Sequence, residues 1–296
     1  MKKLIRIGTR ESLLACAQAE LLEQYIRNHH PEYEVVLVKI KTTGDRILDR
    51  NLAEIGGKGL FVRELDQALY ENRTDLSVHS LKDLPMEVSA DFPVLGYSRR
   101  EDPRDVLVLP QGCTKMNPDQ PFGTSSPRRQ IQLRQLYPDC QIRPVRGNVL
   151  TRLQKLDHGE YGALVLAAAG LCRIGLTHRI SGWYPVEQMV PAAGQGILAV
   201  QGRKDFDRSI LEGFFDSGAG WQAVAERSFV SAFGGGCSSP VAACAAILGE
   251  QIQLTGMLAG KDNGVQKAHI TAPKQEAEQA GKRLAEMMGN SQKQGL

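Results

Sequence analysis

Twice along its length this chain alternates short apolar runs with segments of helical period, and that alternation constrains the fold more than any single residue does. In the first pass Leu4–Gly8 reads as a strand. Ser12 is placed to cap a helix to about Asn28, with Leu14, Ala17, Leu21 and Tyr25 on one face and Pro31 beyond its end. Val35–Ile40 reads as a second strand, Phe61–Tyr70 as a helix and Leu76–His79 as a third strand. The second pass has strands at Val106–Leu109, Ile142–Val145 and Ala163–Ala167, with helices at Pro127–Leu136 and Val149–Leu156. Strand-helix-strand order of this kind implies α/β architecture, parallel sheets and ligand sites at strand ends. A further strand, Ile197–Gln201, fits either sheet.

From about Gly218 the style changes. A helix from Gly220 to Phe233 precedes apolar strands near Val241–Leu248, Ile252–Leu258 and Val265–Ile270. A polar helix from Lys274 to Met288 follows, and the tail after Gly289 is expected to fray. This is a small α+β domain. The expected division is 1–98 with 196–215 as a first α/β lobe, 99–195 as a second, and 216–296 as the C-terminal domain.

Cys237 lies in the run Phe233-Gly-Gly-Gly-Cys-Ser-Ser-Pro240. Three glycines and a proline favour a bare loop, and a thiol presented there is a candidate nucleophile. The same spacing also suits a small buried hydrophobe beside a turn. The six cysteines form no Cys-x-x-Cys and no short Cys/His pattern, so no metal site is expected. A glycine-presented thiol in a chain this large points to a reducing compartment. The basic start is broken at once by Arg10 and Glu11, unlike a signal peptide. No stretch reaches the roughly 18 apolar residues of a membrane span, and the expected location is the cytoplasm.

The net charge of +3 is unevenly spread. Residues 99–179 hold eleven Arg and two Lys against seven acids, leaving the rest of the chain negative by three. Arginine suits planar recognition of carboxylate or phosphate. Several arginines sit at helix starts, against the helix dipole: Arg10 before Ser12, Arg128 and Arg129 after Ser126 and Pro127, and Arg146 and Arg152 around Asn148. Arg173, after a strand, is a fourth instance. Bound anions would complete the charge balance. No Walker, Gly-x-Gly-x-x-Gly or Gly-x-Ser-x-Gly spacing is present. His79-Ser-Leu-Lys-Asp-Leu-Pro85 closes the third strand, where the Asp83 carboxylate is placed to accept N–H bonds from a ligand and to stabilise a developing cation. An ordinary turn cap accounts for Asp83 as well, and a backbone-bonded strand-end histidine for His79.

Taken in order, eight motifs resemble the porphobilinogen deaminase family. They are Ile7-Gly-Thr-Arg-Glu-Ser12, Gly56-Gly-Lys-Gly-Leu-Phe61, His79 to Pro85, Gly123-Thr-Ser-Ser-Pro-Arg-Arg-Gln130, Arg146-Gly-Asn-Val-Leu-Thr-Arg-Leu153, Ala168-Ala-Gly-Leu-Cys-Arg-Ile-Gly175, Pro191-Ala-Ala-Gly-Gln-Gly196 and Gly235-Gly-Cys-Ser-Ser-Pro240. The resemblance implies two periplasmic-binding-protein-like lobes around a cleft, with the strand near Ile197 returning to the first lobe. It implies a transferase that deaminates and joins four porphobilinogen units head to tail, releasing hydroxymethylbilane for haem biosynthesis. The primer is a dipyrromethane cofactor held by a thioether to Cys237. By the same resemblance Asp83 is catalytic. Lys82, Ser80, Ser126, Arg128, Arg129 and Arg146 join Cys237 and Asp83 in binding cofactor, with Ser125 as a smaller contact. Arg10, Ser12, Arg146, Arg152, Arg173 and Gln195 bind substrate, and Lys58 belongs to a mobile loop over 42–59. The chain departs from the family at Ser238 and Ser239, where Gln and an aliphatic residue are common, at Pro127 in place of Leu, and at Glu54 in place of a lysine.

A two-lobed binding protein for a small dianion, and a nucleic-acid-binding protein using the basic middle segment, are the competing readings. The glycine-set thiol argues against the first. The acidic remainder and an aromatic content of only 6% argue against the second. The expected partner is porphobilinogen, with no nucleic acid and no membrane, and the chain is expected to act as a monomer.

Overall fold

The computed structural model describes residues 2–46, 62–235, 239–260 and 264–294. In chain order the first elements are β1 (Lys3–Arg10), α1 (Leu13–His29), β2 (Tyr33–Ile40), the single turn α2 (Thr43–Arg46), α3 (Arg63–Tyr70), β3 (Leu76–Ser80) and β4 (Val94–Tyr97). The middle of the chain forms β5 (Asp105–Val108), β6 (Phe122–Gly123), α4 (Pro127–Leu136), β7 (Ile142–Arg143), α5 (Val149–Asp157), β8 (Ala163–Ala167), α6 (Ala168–Arg173) and β9 (Gly182–Trp183). Then come β10 (Leu198–Gly202), α7 (Ser217–Ala232), β11 (Val241–Leu248), β12 (Gln251–Ala259), β13 (Val265–Pro273) and α8 (Ala277–Gln294). The chain divides into two compact units, 1–101 with 197–220, and 102–196 with 221–296.

The first unit holds one five-stranded sheet in the order β2-β1-β3-β10-β4. The first three strands are parallel, and β10 runs antiparallel to both its neighbours. Ile5, Ile7, Val35, Leu76, Val78, Leu198 and Val200 form its core with α1. Ser12 is the N-cap of α1 as expected, and its side chain accepts from the Ala15 N–H. The buried face of that helix is one to two residues on from the expected one. Cys16, Ala19, Leu22 and Ile26 face the core, whereas Leu21 is 44% exposed. Two adjacent apolar stripes run along α1 at helical spacing, and only the sheet beneath selects between them.

In the second unit a five-stranded sheet has the order β7-β6-β8-β5-β9, again with three parallel strands followed by antiparallel pairings. Both sheets are therefore mixed, not purely parallel. The expected strand Ile142–Val145 is cut to two residues, because Pro144 offers no N–H to continue the ladder. The same unit contains the meander β11-β12-β13 with α8 and with α7 from residue 221 on. Gly256 in β12 is required there: an added Cβ would stand 2.6 Å from the Phe229 ring. Beyond Gly289, where the tail was expected to leave the helix, α8 continues to Gln294. The expected α/β class with a small α+β module at the C-terminal end is what the chain adopts.

Candidate active site

In both sheets the residues singled out from sequence gather at the carboxyl ends of parallel strands, where α/β sheets place ligands. Arg10 is the last residue of β1 and Ser80 the last of β3. Ser125 and Ser126 follow β6, Arg146 follows β7, and Arg173 ends the helix that begins at the end of β8.

In the first unit β3 runs straight into a 3-10 turn, Leu81–Asp83. Leu81 and Leu84 are buried and pin the turn from both sides, so Lys82 is half-buried and Asp83 is exposed. The Leu81 N–H donates to the Ile197 carbonyl, tying the turn to the segment entering β10. Ser80 pairs with the buried Gln18 amide of α1 at 2.9 Å. Beneath them His79 is buried, with Nε2 2.9 Å from Gln201 Oε1. Gln201 Nε2 donates to the Phe92 carbonyl, so its oxygen faces the ring and His79 carries its proton on Nε2. Burial pushes the His79 pKa down to about 4; the Gln201 bond opposes this, Arg10 adds to it and Asp83 opposes it. The imidazole is thus neutral at physiological pH.

The second unit is built around a buried ionic trio. Asp105, the first residue of β5, is fully buried. Arg128 Nη1 donates to its Oδ2 at 2.6 Å. Arg129 donates to its Oδ1 through Nη2 at 2.7 Å and Nε at 3.2 Å. Both guanidiniums are buried, and each also reaches a carbonyl, Val190 for Arg128 and Val165 for Arg129. Burial opposes ionisation of Asp105, but the two cations outweigh it and hold the carboxyl far below its usual range. Burial lowers Arg128, and Asp105 offsets part of that. Both arginines do lie in the first turn of α4, and the anion that meets them within the chain is Asp105. Ser126 is the N-cap position of α4 but makes no side-chain cap bond.

Around this trio the loops are tied to one another. Ser125 Oγ donates to the Val145 carbonyl at 2.9 Å and accepts from its N–H. Gly147 takes φ +107, a backbone open to glycine, and Arg152 Nε donates to its carbonyl at 2.8 Å. Asn148 caps α5 through the Thr151 N–H. Arg173 corrects the expected pattern: it ends α6 instead of starting a helix, where a cation complements the dipole. It donates to the Gly196 carbonyl. Gln195, expected as a substrate contact, is buried, with Nε2 engaged by the Pro103 carbonyl and Asp105. Cys237, Lys58, Glu54 and Ser238 lie outside the described residues. Gln18, Asp105 and Gln201 carried no motif signal that set them apart from other polar residues.

Residues 5–211 match the family model described as "Porphobilinogen deaminase, dipyromethane cofactor binding domain", and residues 221–290 match "Porphobilinogen deaminase, C-terminal domain". A porphobilinogen deaminase of Acetivibrio thermocellus is 51% identical over 281 residues, covering 95% of this chain and 96% of the relative. One of Alkaliphilus oremlandii is 50% identical over 292 residues, covering 98% and 99%. Among solved structures, the extracellular-binding protein ytmK from Bacillus subtilis is 14% identical with a TM-score of 0.42, over 74% of this chain and 94% of that one. The chain belongs to the porphobilinogen deaminase family. It is a transferase of tetrapyrrole biosynthesis that polymerises porphobilinogen to hydroxymethylbilane and uses a dipyrromethane cofactor.

The donor set fits such a group. A pyrrole chain of this kind bears several carboxylates, and Asp105, Arg128 and Arg129 together keep one positive charge in excess.

Proposed function

We propose that Asp83 is the catalytic carboxylate and that four substrate units are added head to tail to a dipyrromethane attached to Cys237. When bound, the dipyrromethane supplies the terminal pyrrole carbon to which new units are joined. The observation that carries the assignment is the position of Asp83: exposed at the carboxyl end of a central strand, on a turn fixed by two buried leucines. As ammonia leaves the substrate, positive charge develops on its pyrrole ring. The Asp83 carboxylate accepts the pyrrole N–H and stabilises that charge. It is also placed to take up and return a proton during coupling. Lys82 and Ser80, on either side of Leu81, orient carboxylates of the cofactor together with Ser125, Ser126, Arg128, Arg129 and Arg146. Arg10, Ser12, Arg146, Arg152 and Arg173 receive the acetate and propionate groups of each arriving substrate, and Lys58 assists them.

We infer three folding modules, 1–98 with 196–215, 99–195 and 216–296, supported by three separate sheets. The enzyme is a cytoplasmic monomer without a nucleic-acid partner. Among the described residues Cys16, Cys113, Cys140, Cys172 and Cys244 are free thiols, which supports a reducing compartment. No helix among the described residues is long and apolar enough to cross a membrane.

Intact mass tests the attachment. The purified protein is expected to exceed its sequence mass by two linked pyrroles, and Cys237→Ser is expected to lose that excess together with all turnover. An active sample at bare sequence mass overturns the reading.

A further inference from the structure

We propose that Asp105 is a positioning residue for the reaction: it holds the Arg128 and Arg129 guanidiniums where they meet the carboxylates of the bound pyrrole chain. This rests on the cofactor-binding reading of the two arginines.

The two sheets can be laid over one another by register. In each, the fourth strand is antiparallel, and its first residue pairs with the last residue of the parallel strand beside it. In the first sheet that pair is Leu198 with Ser80, and in the second it is Asp105 with Ala167. Both Leu198 and Asp105 are fully buried. The strand order therefore closes with an apolar side chain at this position, and the fold alone does not require a carboxylate. An aliphatic residue there would avoid the cost of burying an ion.

What the carboxylate adds is geometry. Its two oxygens accept four N–H donors from two separate segments: Arg128 and Arg129 on α4, and Gln195 in the stretch before β10. Charged, multiply bonded partners lose little freedom further when a ligand arrives, which is the value of preorganisation. The trio is also left short of neutrality. One carboxylate faces two guanidiniums, and the excess positive charge is buried, where it attracts an anion strongly. Arg129 engages Nε, Nη1 and Nη2 within the chain. Arg128 uses only Nη1, so among the described residues its Nε and Nη2 retain donor capacity. Asp105 thus fixes both cations, and one of them retains N–H groups for a further acceptor.

The test compares Asp105→Asn, Arg128→Met and the double variant. Intact mass gives the fraction carrying dipyrromethane and the number of pyrroles added when substrate is limiting. Melting temperature and the kcat and KM for porphobilinogen complete the set. Asp105→Asn keeps the shape and removes the charge. It is expected to melt as a folded protein, raise KM about tenfold, and shift the captured complexes toward fewer added pyrroles. In the double variant the Asp105 change is expected to add little to that of Arg128→Met, because both act through one contact. A purely structural role would lower the active fraction and leave KM and the complex distribution unchanged; that result overturns the proposal. Should Asp105→Asn not fold, Asp105→Glu carries the same test, since it retains charge and displaces the oxygens by a methylene. A raised KM there supports the proposal and an unchanged KM overturns it. If Arg129→Met and Arg128→Met both load cofactor and turn over normally, the reading of the arginines itself fails. If they are impaired while Asp105→Asn is not, only the role of Asp105 fails.

Discussion

The two five-stranded sheets share one strand order but differ in the polar groups they bury. The first sheet pairs neutral polar groups, His79 with Gln201, beneath the turn that carries the exposed Asp83, and its ion cluster, Asp75 with Arg6 and Arg203, lies at the opposite, amino end of β3. The second buries ions, an aspartate between two arginines with positive charge in excess. The difference teaches that one strand order can carry different buried chemistry at its polar positions. In the proposed division of labour, the first unit manages positive charge that develops on substrate, and the second neutralises negative charge that substrate brings.

Exchanging the chemistry of the matched positions should break the comparison most severely. Leu198→Asp places a carboxylate in an apolar cluster with Ile7, Val78 and Val200. A loss of about 3–5 kcal/mol is expected, measured by denaturant unfolding. A native-like midpoint would mean that the two positions are not distinguished by their surroundings. Next in size is Asp83→Asn, expected to lower kcat by about 10²–10³-fold while melting temperature and covalent cofactor mass stay unchanged. Near-normal turnover would remove the carboxylate from the first unit's role.

The neutral pair sharpens the contrast through pH. His79 titrates near 4 when folded, below the ordinary 6.5. The unfolded chain therefore binds more protons between those values, so its contribution to stability is full above about pH 6.5 and is lost as pH falls toward 4. The loss is on the order of 3 kcal/mol, and His79→Gln should flatten that part of the stability profile. An unchanged slope would show that another group titrates there. The smallest expected effect is at a helix start. Ser12→Ala removes the cap of α1 and should cost about 1 kcal/mol. A larger loss of substrate affinity than of stability would add a binding role to the cap.

Much of the placement of the candidate site's residues was legible because the signals are local. Ser12 and Asn148 cap the helices they precede, and both cap bonds span three residues. Pro127 begins α4 as a first-turn proline should. Arg10, Ser80, Lys82 and Asp83 could be placed at strand ends because apolar runs stop just before them. The very short strands Phe122–Gly123 and Gly182–Trp183 could not be read, since two residues carry no period.

The sequence by itself determined the order of most helices and strands, the caps, and which residue types cluster at strand ends, because these follow from propensity and periodicity over a few neighbours. Tertiary structure alone decided which face of α1 is buried, that β10 joins the first sheet antiparallel to its neighbours, and which partners the buried polar groups find. Asp105 is 23 residues from Arg128 and 90 from Gln195, and His79 is 122 from Gln201. No local pattern encodes a pairing over such separations. It is set when folding removes water and each buried polar group must take the partner that packing brings to it.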